Sequence, residues 1–231
     1  MLNSKEIQSL RNKYLGPSLN LSYHEPIHIV RGEGQYLFDA YGNQYLDCVN
    51  NIQHVGHCHP MVVAAAQKQC AKLNTNTRYL DETIVGYAQN LTGTLPDGLE
   101  ICYFTNSGSE SNDLALRLAR HFTGSKETIV LDAAYHGHLS SLIEISPYKH
   151  SGPGGSGPPD FVYTVPMPNP FRGKYRGPDC AGDYVQEVQQ AITAIHGNEM
   201  QVSAFIAEAI MGCGGQLCVP EGFLKGAFAL V

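Results

Sequence analysis

Residues 104–113 read FTNSGSESND and join a short apolar run (residues 101–105, ICYFT) to an amphipathic stretch (residues 109–122, SESNDLALRLARHF). We expect a strand that turns directly into a helix. The first turn of a helix has unpaired N–H groups and the positive end of the dipole, so it readily holds a phosphate. Gly108 lets the backbone approach an oxyanion, and Ser107 and Ser109 add hydroxyl donors. This turn is a candidate anion site.

A purely structural interpretation fits the same residues. Ser107 or Ser109 would cap the helix, and Glu110 or Asp113 would balance its dipole. Two familiar phosphate motifs do not fit this turn. No Lys follows it, as the P-loop requires, and it lacks the glycine spacing G-x-G-x-x-G of dinucleotide sites. The spacing alone leaves capping and anion binding both open.

Strands and helices alternate after residue 100. The apolar runs 128–132, 161–165 and 203–207 read as strands, and residues 184–196 read as a helix. A further helix is possible over residues 139–145. Such alternation predicts an α/β organisation with a mostly parallel sheet.

The first hundred residues follow a different pattern. We expect a short helix before Gly16-Pro17, and then an antiparallel hairpin built from three strand-like pieces. Two helices should follow. The strand-like pieces are residues 27–30, 35–39 and 44–47, and the helices are residues 60–73 and 81–94.

Two polar groups follow predicted strands. Residues 135–138 (YHGH) come just after the strand 128–132, where an aromatic ring could stack on a planar ligand beside a proton-handling histidine. The alternative is an ordinary turn. Glu208 ends the strand 203–207 beside a glycine-rich corner, and a carboxylate there is either paired or functional.

Residues 150–181 hold much of the proline and glycine of the chain. They are typical of a long surface loop or of a loop over the mouth of an active site.

Four potential metal ligands lie close together at His54, His57, Cys58 and His59. A metal site fits poorly, because the chain has neither C-x-x-C nor H-E-x-x-H, and we predict none.

Composition argues against three classes of protein. The chain has 15 basic and 21 acidic residues in 231, a net charge of −6, with no run of Lys or Arg to bind nucleic acid. It has no stretch of about 20 apolar residues and no signal-peptide core in residues 1–11. We therefore expect no nucleic-acid, membrane or secreted role. The seven cysteines read as reduced thiols.

Four stretches, in order along the chain, together resemble the class III aminotransferases, which are fold-type-I enzymes that use pyridoxal 5′-phosphate. They are residues 56–60 (GHCHP), 106–113 (NSGSESND), 135–138 (YHGH) and Glu208. The resemblance implies an α/β fold with a mostly parallel sheet in the major domain and a small N-terminal α+β segment. The corresponding domains would be residues 1–55 and 56–231, the second incomplete.

Within that family the chain looks most like the phospho-lyase branch, which acts on phosphoethanolamine or 5-phosphohydroxylysine and includes proteins called alanine–glyoxylate aminotransferase 2-like. The supporting stretches are residues 50–51 (NN), 54–57 (HVGH), 73–78 (LNTNTR), 114–120 (LALRLAR), 135–149 (YHGHLSSLIEISPYK), 172–176 (RGKYR) and 213–216 (CGGQ). Phosphoethanolamine is the favoured substrate. A proton would leave beside the nitrogen, phosphate would be eliminated, and hydrolysis of the enamine would give an aldehyde and ammonia.

The resemblance also assigns roles to residues. Those near the cofactor would be Ser107, Gly108 and Ser109 at its phosphate, Tyr135 stacked on its ring, His136 beside it, and Glu208 in the polar network near the ring. Those near the substrate would be Asn50, Asn51 and His138. Residues 74–78 would approach a partner subunit, since the resemblance implies a homodimer or tetramer.

Two departures from the broader aminotransferase pattern bear on the substrate. Many relatives have a Glu, paired with a substrate-binding Arg, where this chain has Cys213, and some have an Arg at the position of His138. Both differences favour a phospho-lyase over a generic aminotransferase. Arg172, Lys174 and Arg176 would suit a phosphate leaving group, although solvated loop charge is their more ordinary interpretation.

The resemblance places the Schiff-base lysine, and the Asp that pairs with the pyridine nitrogen, beyond Val231. No residue from 1 to 231 is assigned that catalytic role, and Lys225 is not a substitute. We therefore expect the chain to be the N-terminal part of a longer enzyme. An aminotransferase using pyruvate or glyoxylate, and an inactive truncated product, are the alternatives. The family favours mitochondria, with the cytoplasm possible, although residues 1–17 are no clear presequence.

Overall fold

The chain divides into two units, Met1–Gly86 and Tyr87–Val231, in a computed structural model that describes residues 2–50 and 54–231. The division falls within a helix. The domain boundary predicted after residue 55 stays a prediction.

The first unit is built around a three-stranded antiparallel sheet of order β1-β2-β3, which confirms the predicted hairpin. Its first helix begins with a capping box, in which Asn3 and Glu6 exchange side-chain and backbone hydrogen bonds. The elements are α1 (Ser4–Tyr14), β1 (Ile29–Glu33), β2 (Tyr36–Asp39), β3 (Gln44–Leu46), α2 (Pro60–Lys72) and α3 (Glu82–Thr92, which crosses the division).

The second unit is built around a parallel sheet of order β5-β4-β6, which confirms the predicted α/β organisation. Its elements are α4 (Gly108–Thr123), β4 (Glu127–Leu131), α5 (Ser140–Ile143), α6 (Pro147–His150), β5 (Val162–Val165), α7 (Ala181–Gly197), β6 (Val202–Ile206), β7 (Ile210–Met211), β8 (Leu217–Cys218) and α8 (Phe223–Leu230).

Successive side chains of β4 point to opposite faces of the sheet, so both faces carry apolar side chains. Helices pack against each face and bury them. Ile129 and Leu131 join a core with α7 and α8 that includes the fully buried Tyr184 and Phe223. Val130 joins a second core with α4 and α5. All five residues of β4 are buried, as expected of a central parallel strand.

One predicted strand is wrong. Residues 101–105 run into α4, but they form no strand in the described part of the chain. A strand needs a hydrogen-bonded neighbour, and no described strand pairs with these residues. Their apolar side chains lie exposed, with Ile101 at 81% and Tyr103 at 66%.

The possible helix over residues 139–145 is shorter than predicted, since only Ser140–Ile143 is helical. The Pro- and Gly-rich segment, residues 150–181, begins at the last residue of α6 and contains β5 between loops. All seven cysteines are free. Among the described helices, none has the length and apolar character needed to cross a bilayer.

Candidate cofactor and substrate site

The carboxyl ends of β4 and β6 meet at one edge of the sheet, because these strands are parallel neighbours. Tyr135 lies four residues after β4 and Glu208 lies two residues after β6. This edge is where open α/β sheets bind ligands. The structure thus brings together the two polar groups that the sequence placed after separate strands.

Both oxygens of the Glu208 carboxylate accept backbone hydrogen bonds. The N–H of Tyr135 donates to Oε1 at 2.9 Å, and the N–H of Gly212 donates to Oε2 at 2.8 Å. The carboxylate is therefore paired with backbone, and its predicted place near the cofactor stays a prediction. It fixes the position of the Tyr135 backbone and of the glycine-rich corner after β7.

His136 is buried, and its ring nitrogen Nε2 is a buried atom without a partner among the described residues. Its backbone N–H donates to Ser146 Oγ at 2.9 Å, and its carbonyl accepts from Asn112 Nδ2 at 2.8 Å. Burial lowers the pKa of the imidazole to about 4, against a smaller opposing effect of the Glu208 charge. The ring is therefore neutral at physiological pH and can accept or donate one hydrogen bond.

The N-terminus of α4 lies beside the same loop. Ser107 is the N-cap, and its side chain accepts from the N–H of Glu110 at 3.1 Å. Ser109 Oγ lies 3.2 Å from His138 Nδ1 and accepts from the His138 N–H at 3.3 Å. Gly137, at φ +140°, passes so close that an added Cβ would lie 2.8 Å from Ser109 Oγ. All six of the predicted cofactor residues are thus connected through short contacts or chain neighbours.

Gly108 begins α4 with open space around it. A Cβ built on this residue would meet no other atom within 4 Å, so a ligand can approach the backbone there. The N–H groups of Gly108 and Ser109 precede the first intrahelical hydrogen bonds of α4. Ser107 does cap the helix, as the structural interpretation predicted, yet this leaves two N–H groups free of intrahelical partners.

Lys149 is a residue that the sequence analysis did not select. Its Nζ lies 5.7 Å from the centroid of the Tyr135 ring and 5.2 Å from that of Tyr148. The two tyrosine rings meet edge to face at 6.0 Å. Only the stretch 135–149 pointed toward this lysine. Its contact with Tyr135 depends on the turn around α5 and α6, which no sequence pattern encodes.

Cys213 lies within electrostatic range of the same groups. Burial raises the pKa of its thiol, the Glu208 carboxylate raises it further, and the Lys149 ammonium lowers it. The net shift is upward, so the thiol is neutral at physiological pH. Position 213, where the family resemblance leads us to expect a Glu in many relatives, therefore carries no negative charge here.

The predicted substrate residues are only partly described. His138 lies beside Ser109, as given above, whereas Asn51 lies outside the described residues. Asn50 belongs to the first unit, where its side-chain amide donates to both oxygens of Asp47 at 3.1 and 3.0 Å. His57 Nε2 lies 2.7 Å from the same carboxylate. Asp47 therefore fixes Asn50 and leaves its side-chain carbonyl available.

The basic trio of residues 172–176 is exposed and largely engaged with its own surroundings. Lys174 forms an ion pair with Glu187 at 2.7 Å, and Arg172 lies against the Phe171 ring. Arg176 reaches the Gly173 carbonyl at 3.5 Å. These contacts agree with solvated loop charge.

The cluster of potential metal ligands at residues 54–59 does not converge in the structure. Within residues 2–50 and 54–231, no group of three or more His, Cys, Asp or Glu side chains is arranged to hold a metal ion. His57 is instead paired with Asp47, and its backbone pairs with Gly34.

Comparison with known proteins gives consistent matches. A family model described as aminotransferase class III matches residues 20–231. A Drosophila melanogaster protein named alanine–glyoxylate aminotransferase 2-like is 45% identical, covering 100% of this chain and 48% of its own length. A Caenorhabditis elegans protein named ethanolamine-phosphate phospho-lyase homolog 1 is 40% identical, covering 96% and 50%.

A solved structure is similar as well. It is a phospholyase from Arthrobacter in complex with phosphoethanolamine, with a TM-score of 0.84 and 34% identity, covering 96% of this chain and 52% of that one. The chain spans about half the length of the curated relatives it matches.

Proposed function

The chain belongs to the class III aminotransferase family, and we propose that the complete protein is a pyridoxal-phosphate-dependent phospho-lyase. It would convert a phosphorylated amine and water into an aldehyde, ammonia and phosphate, with phosphoethanolamine as the favoured substrate. The fold is fold type I of the pyridoxal-phosphate enzymes, as the resemblance implied. The likeness to a phospholyase solved with phosphoethanolamine carries the proposal.

Pyridoxal 5′-phosphate is the cofactor of this family, and the described residues fit it. The free N–H groups and open space at Gly108 suit its phosphate, and the half-buried Tyr135 offers an aromatic face to its ring. The unpartnered Nε2 of His136 is the kind of buried polar atom that a polar ligand satisfies. When bound, the cofactor withdraws electrons from the substrate carbon beside the amine.

The residues of this chain then bind and orient. Gly108 and Ser109 hold the phosphate by backbone N–H groups, with the hydroxyls of Ser107 and Ser109 as further donors. Tyr135 stacks on the ring, and Glu208 keeps Tyr135 in place through its backbone. His136 stays neutral because it is buried, so it adds no positive charge beside the ring.

The neutral Cys213 also supports a phosphorylated substrate. A carboxylate at this position would repel a phosphate dianion, whereas a protonated thiol does not. By the family resemblance, the same position lacks the carboxylate that would pair with a substrate-binding Arg. The absence of negative charge at this position therefore favours phosphorylated amines over amino acids.

Phosphate release by the complete protein loaded with cofactor tests the proposal. We expect release from phosphoethanolamine, with 5-phosphohydroxylysine as the second substrate and ethanolamine as the unphosphorylated control. No phosphate from either phosphorylated amine would contradict the proposal. The alternative function is amine transfer to pyruvate or glyoxylate, which the Drosophila relative named alanine–glyoxylate aminotransferase 2-like favours. Transfer without phosphate release would select it.

Cofactor binding gives a second test that does not depend on the substrate. Tyr135→Ala removes the stacking ring and should weaken cofactor binding, followed by absorbance, by about tenfold. Tyr135→Phe keeps the ring and should bind normally. Phe122→Ala is the control, because Phe122 is an exposed aromatic residue near the C-terminal end of α4 with no proposed cofactor contact. Equal affinity for all three variants would contradict the role of Tyr135.

Assembly and location follow from the family resemblance. We propose a homodimer or tetramer in which residues 74–78 approach the partner subunit, and a mitochondrial location with the cytoplasm as the alternative.

A further inference from the structure

The proposed reaction brings two phosphate groups into one site, because cofactor and substrate each carry one. The N-terminus of α4 has two free N–H groups, at Gly108 and Ser109, which suffice for one phosphate. Two dianions on the same N–H groups would repel each other. A phosphorylated substrate therefore needs a separate cationic group near the Tyr135 ring. This inference rests on the proposed function.

Lys149 is such a group. Its ammonium lies 5.7 Å from the centre of the Tyr135 ring and influences the Cys213 thiol across the same site. None of the ion pairs formed by the described residues includes Lys149. A contact with an aromatic ring leaves the three N–H donors of an ammonium free for an anion.

The backbone beneath Lys149 is held firmly. Its neighbours in α6, Pro147 and His150, are buried, while Lys149 itself is exposed. The N–H of Tyr148 donates to the Ala134 carbonyl at 3.1 Å, which ties α6 to the residue before Tyr135. The lysine therefore stands on a fixed base beside the proposed cofactor ring, with a mobile four-carbon stem.

Four other cations of the second unit are engaged or lie at the opposite end of the sheet. Lys174 is paired with Glu187, and Arg172 lies on Phe171. Arg120 and Lys126 both lie against the Phe161 ring. Lys126 immediately precedes β4 and Tyr135 follows it, so Lys126 belongs to the opposite end of the sheet.

We propose that Lys149 binds the phosphate group of the substrate and so determines the preference for phosphorylated amines. An ammonium is a compact charge with three donors, which suits the oxygens of a phosphate dianion. Lys149 contacts only the group that leaves, and proton removal next to the nitrogen does not involve it. Its replacement should therefore affect phosphorylated ligands and leave unphosphorylated amines unaffected.

Binding of 2-aminoethylphosphonate to the cofactor-loaded protein tests this role, because its C–P bond blocks elimination. The dissociation constant is compared with that of ethanolamine, which has no phosphorus group. Lys149→Gln should weaken phosphonate binding by roughly 10- to 100-fold and leave ethanolamine unchanged. Lys149→Arg keeps the charge and should restore most of the affinity. Lys126→Gln is the matched control, since it also removes a lysine from an aromatic ring.

Two results would overturn the role of Lys149. One is phosphonate affinity in Lys149→Gln within about twofold of the wild type, even when the wild type releases phosphate. The other is an equal loss for phosphonate and ethanolamine, which indicates a general structural effect.

Different results would show that the proposed lyase activity, and not the role of Lys149, is wrong. If the wild type prefers the phosphonate through Lys149 but releases no phosphate from phosphoethanolamine, the lyase activity is wrong and the binding role stands. If the wild type neither prefers the phosphonate nor releases phosphate, both are wrong.

Discussion

The Glu208 carboxylate accepts a hydrogen bond from the backbone N–H of Tyr135 at 2.9 Å, across 73 residues of sequence. The bond joins the ends of two neighbouring parallel strands, and the second carboxylate oxygen fixes Gly212. The candidate site therefore depends on Glu208, whose side chain fixes the backbone, as well as on the side chains proposed to contact a ligand.

Removing this carboxylate should destabilise the second unit. Glu208→Ala leaves the partly buried N–H of Tyr135 and the exposed N–H of Gly212 without an acceptor, and we expect a loss of about 1–3 kcal/mol in the free energy of unfolding, mostly from Tyr135. Glu208→Gln keeps one good acceptor and should lose less. Urea denaturation measures both, with exposed Glu100→Ala as the control. Equal stability of all three variants would show that the two hydrogen bonds contribute nothing.

Gly137 is a second sensitive position. At φ +140° an added Cβ would overlap Leu142 Cδ1 and lie 2.8 Å from Ser109 Oγ, so Gly137→Ala should push the loop away from α4. We expect at least about tenfold weaker cofactor binding, followed by absorbance. Gly154→Ala is the matched control, because Gly154 also has positive φ but an added Cβ meets nothing within 4 Å. Equal effects in both variants would assign the loss to backbone conformation alone.

The two serines of the α4 turn should separate capping from anion binding. Ser107→Ala removes the N-cap and should lower the free energy of unfolding by about 1 kcal/mol. Ser109→Ala keeps the cap and should mainly weaken cofactor binding, by about tenfold, because one hydroxyl donor is lost. Urea denaturation and cofactor titration of both variants measure the difference. If both variants lose stability and neither changes cofactor affinity, the result would favour helix capping as the only role of these serines.

His136 should make the protein sensitive to mild acid. Burial lowers its folded pKa to about 4, below an unfolded value of about 6.5, so the unfolded chain binds the proton first. Stability should therefore fall as the pH drops from about 6.5 to 4, by an amount on the order of 3 kcal/mol, and change no further below that range on account of this residue.

His136→Leu removes this titration, and the slope of unfolding free energy against pH should become shallower in that window. Burial also lowers the pKa of His150, so some slope of the same sign should remain. Chemical denaturation at several pH values measures both proteins. An unchanged slope in His136→Leu would show that the folded imidazole titrates normally.

The sequence predicted the elements whose side chains alternate or repeat strongly. β4, β5, β6, α4 and α7 all lie within a few residues of their predicted positions, because buried strands and an amphipathic helix have clear patterns. Residues 101–105 have the same apolar pattern but no neighbour in the described chain. β7, β8 and α6 are too short for periodicity to mark them.

The site was predicted as separate pieces. The sequence pointed to Ser107–Ser109, Tyr135 and Glu208, since each follows or begins an element where ligands bind. It could not show that Glu208 binds the backbone of Tyr135, or that Ser109 meets His138. Lys149 was missed because its place beside Tyr135 depends on two short helices that no periodicity reveals.

The bond between Tyr135 and Glu208 also sets an order of events during synthesis. A ribosome adds roughly 5–20 residues per second, so Glu208 is made about 4 to 15 s after Tyr135. Until then, the backbone N–H of Tyr135 lacks the carboxylate that fixes it. A nascent chain therefore orders this edge of the candidate site only after β6 has emerged and paired with β4.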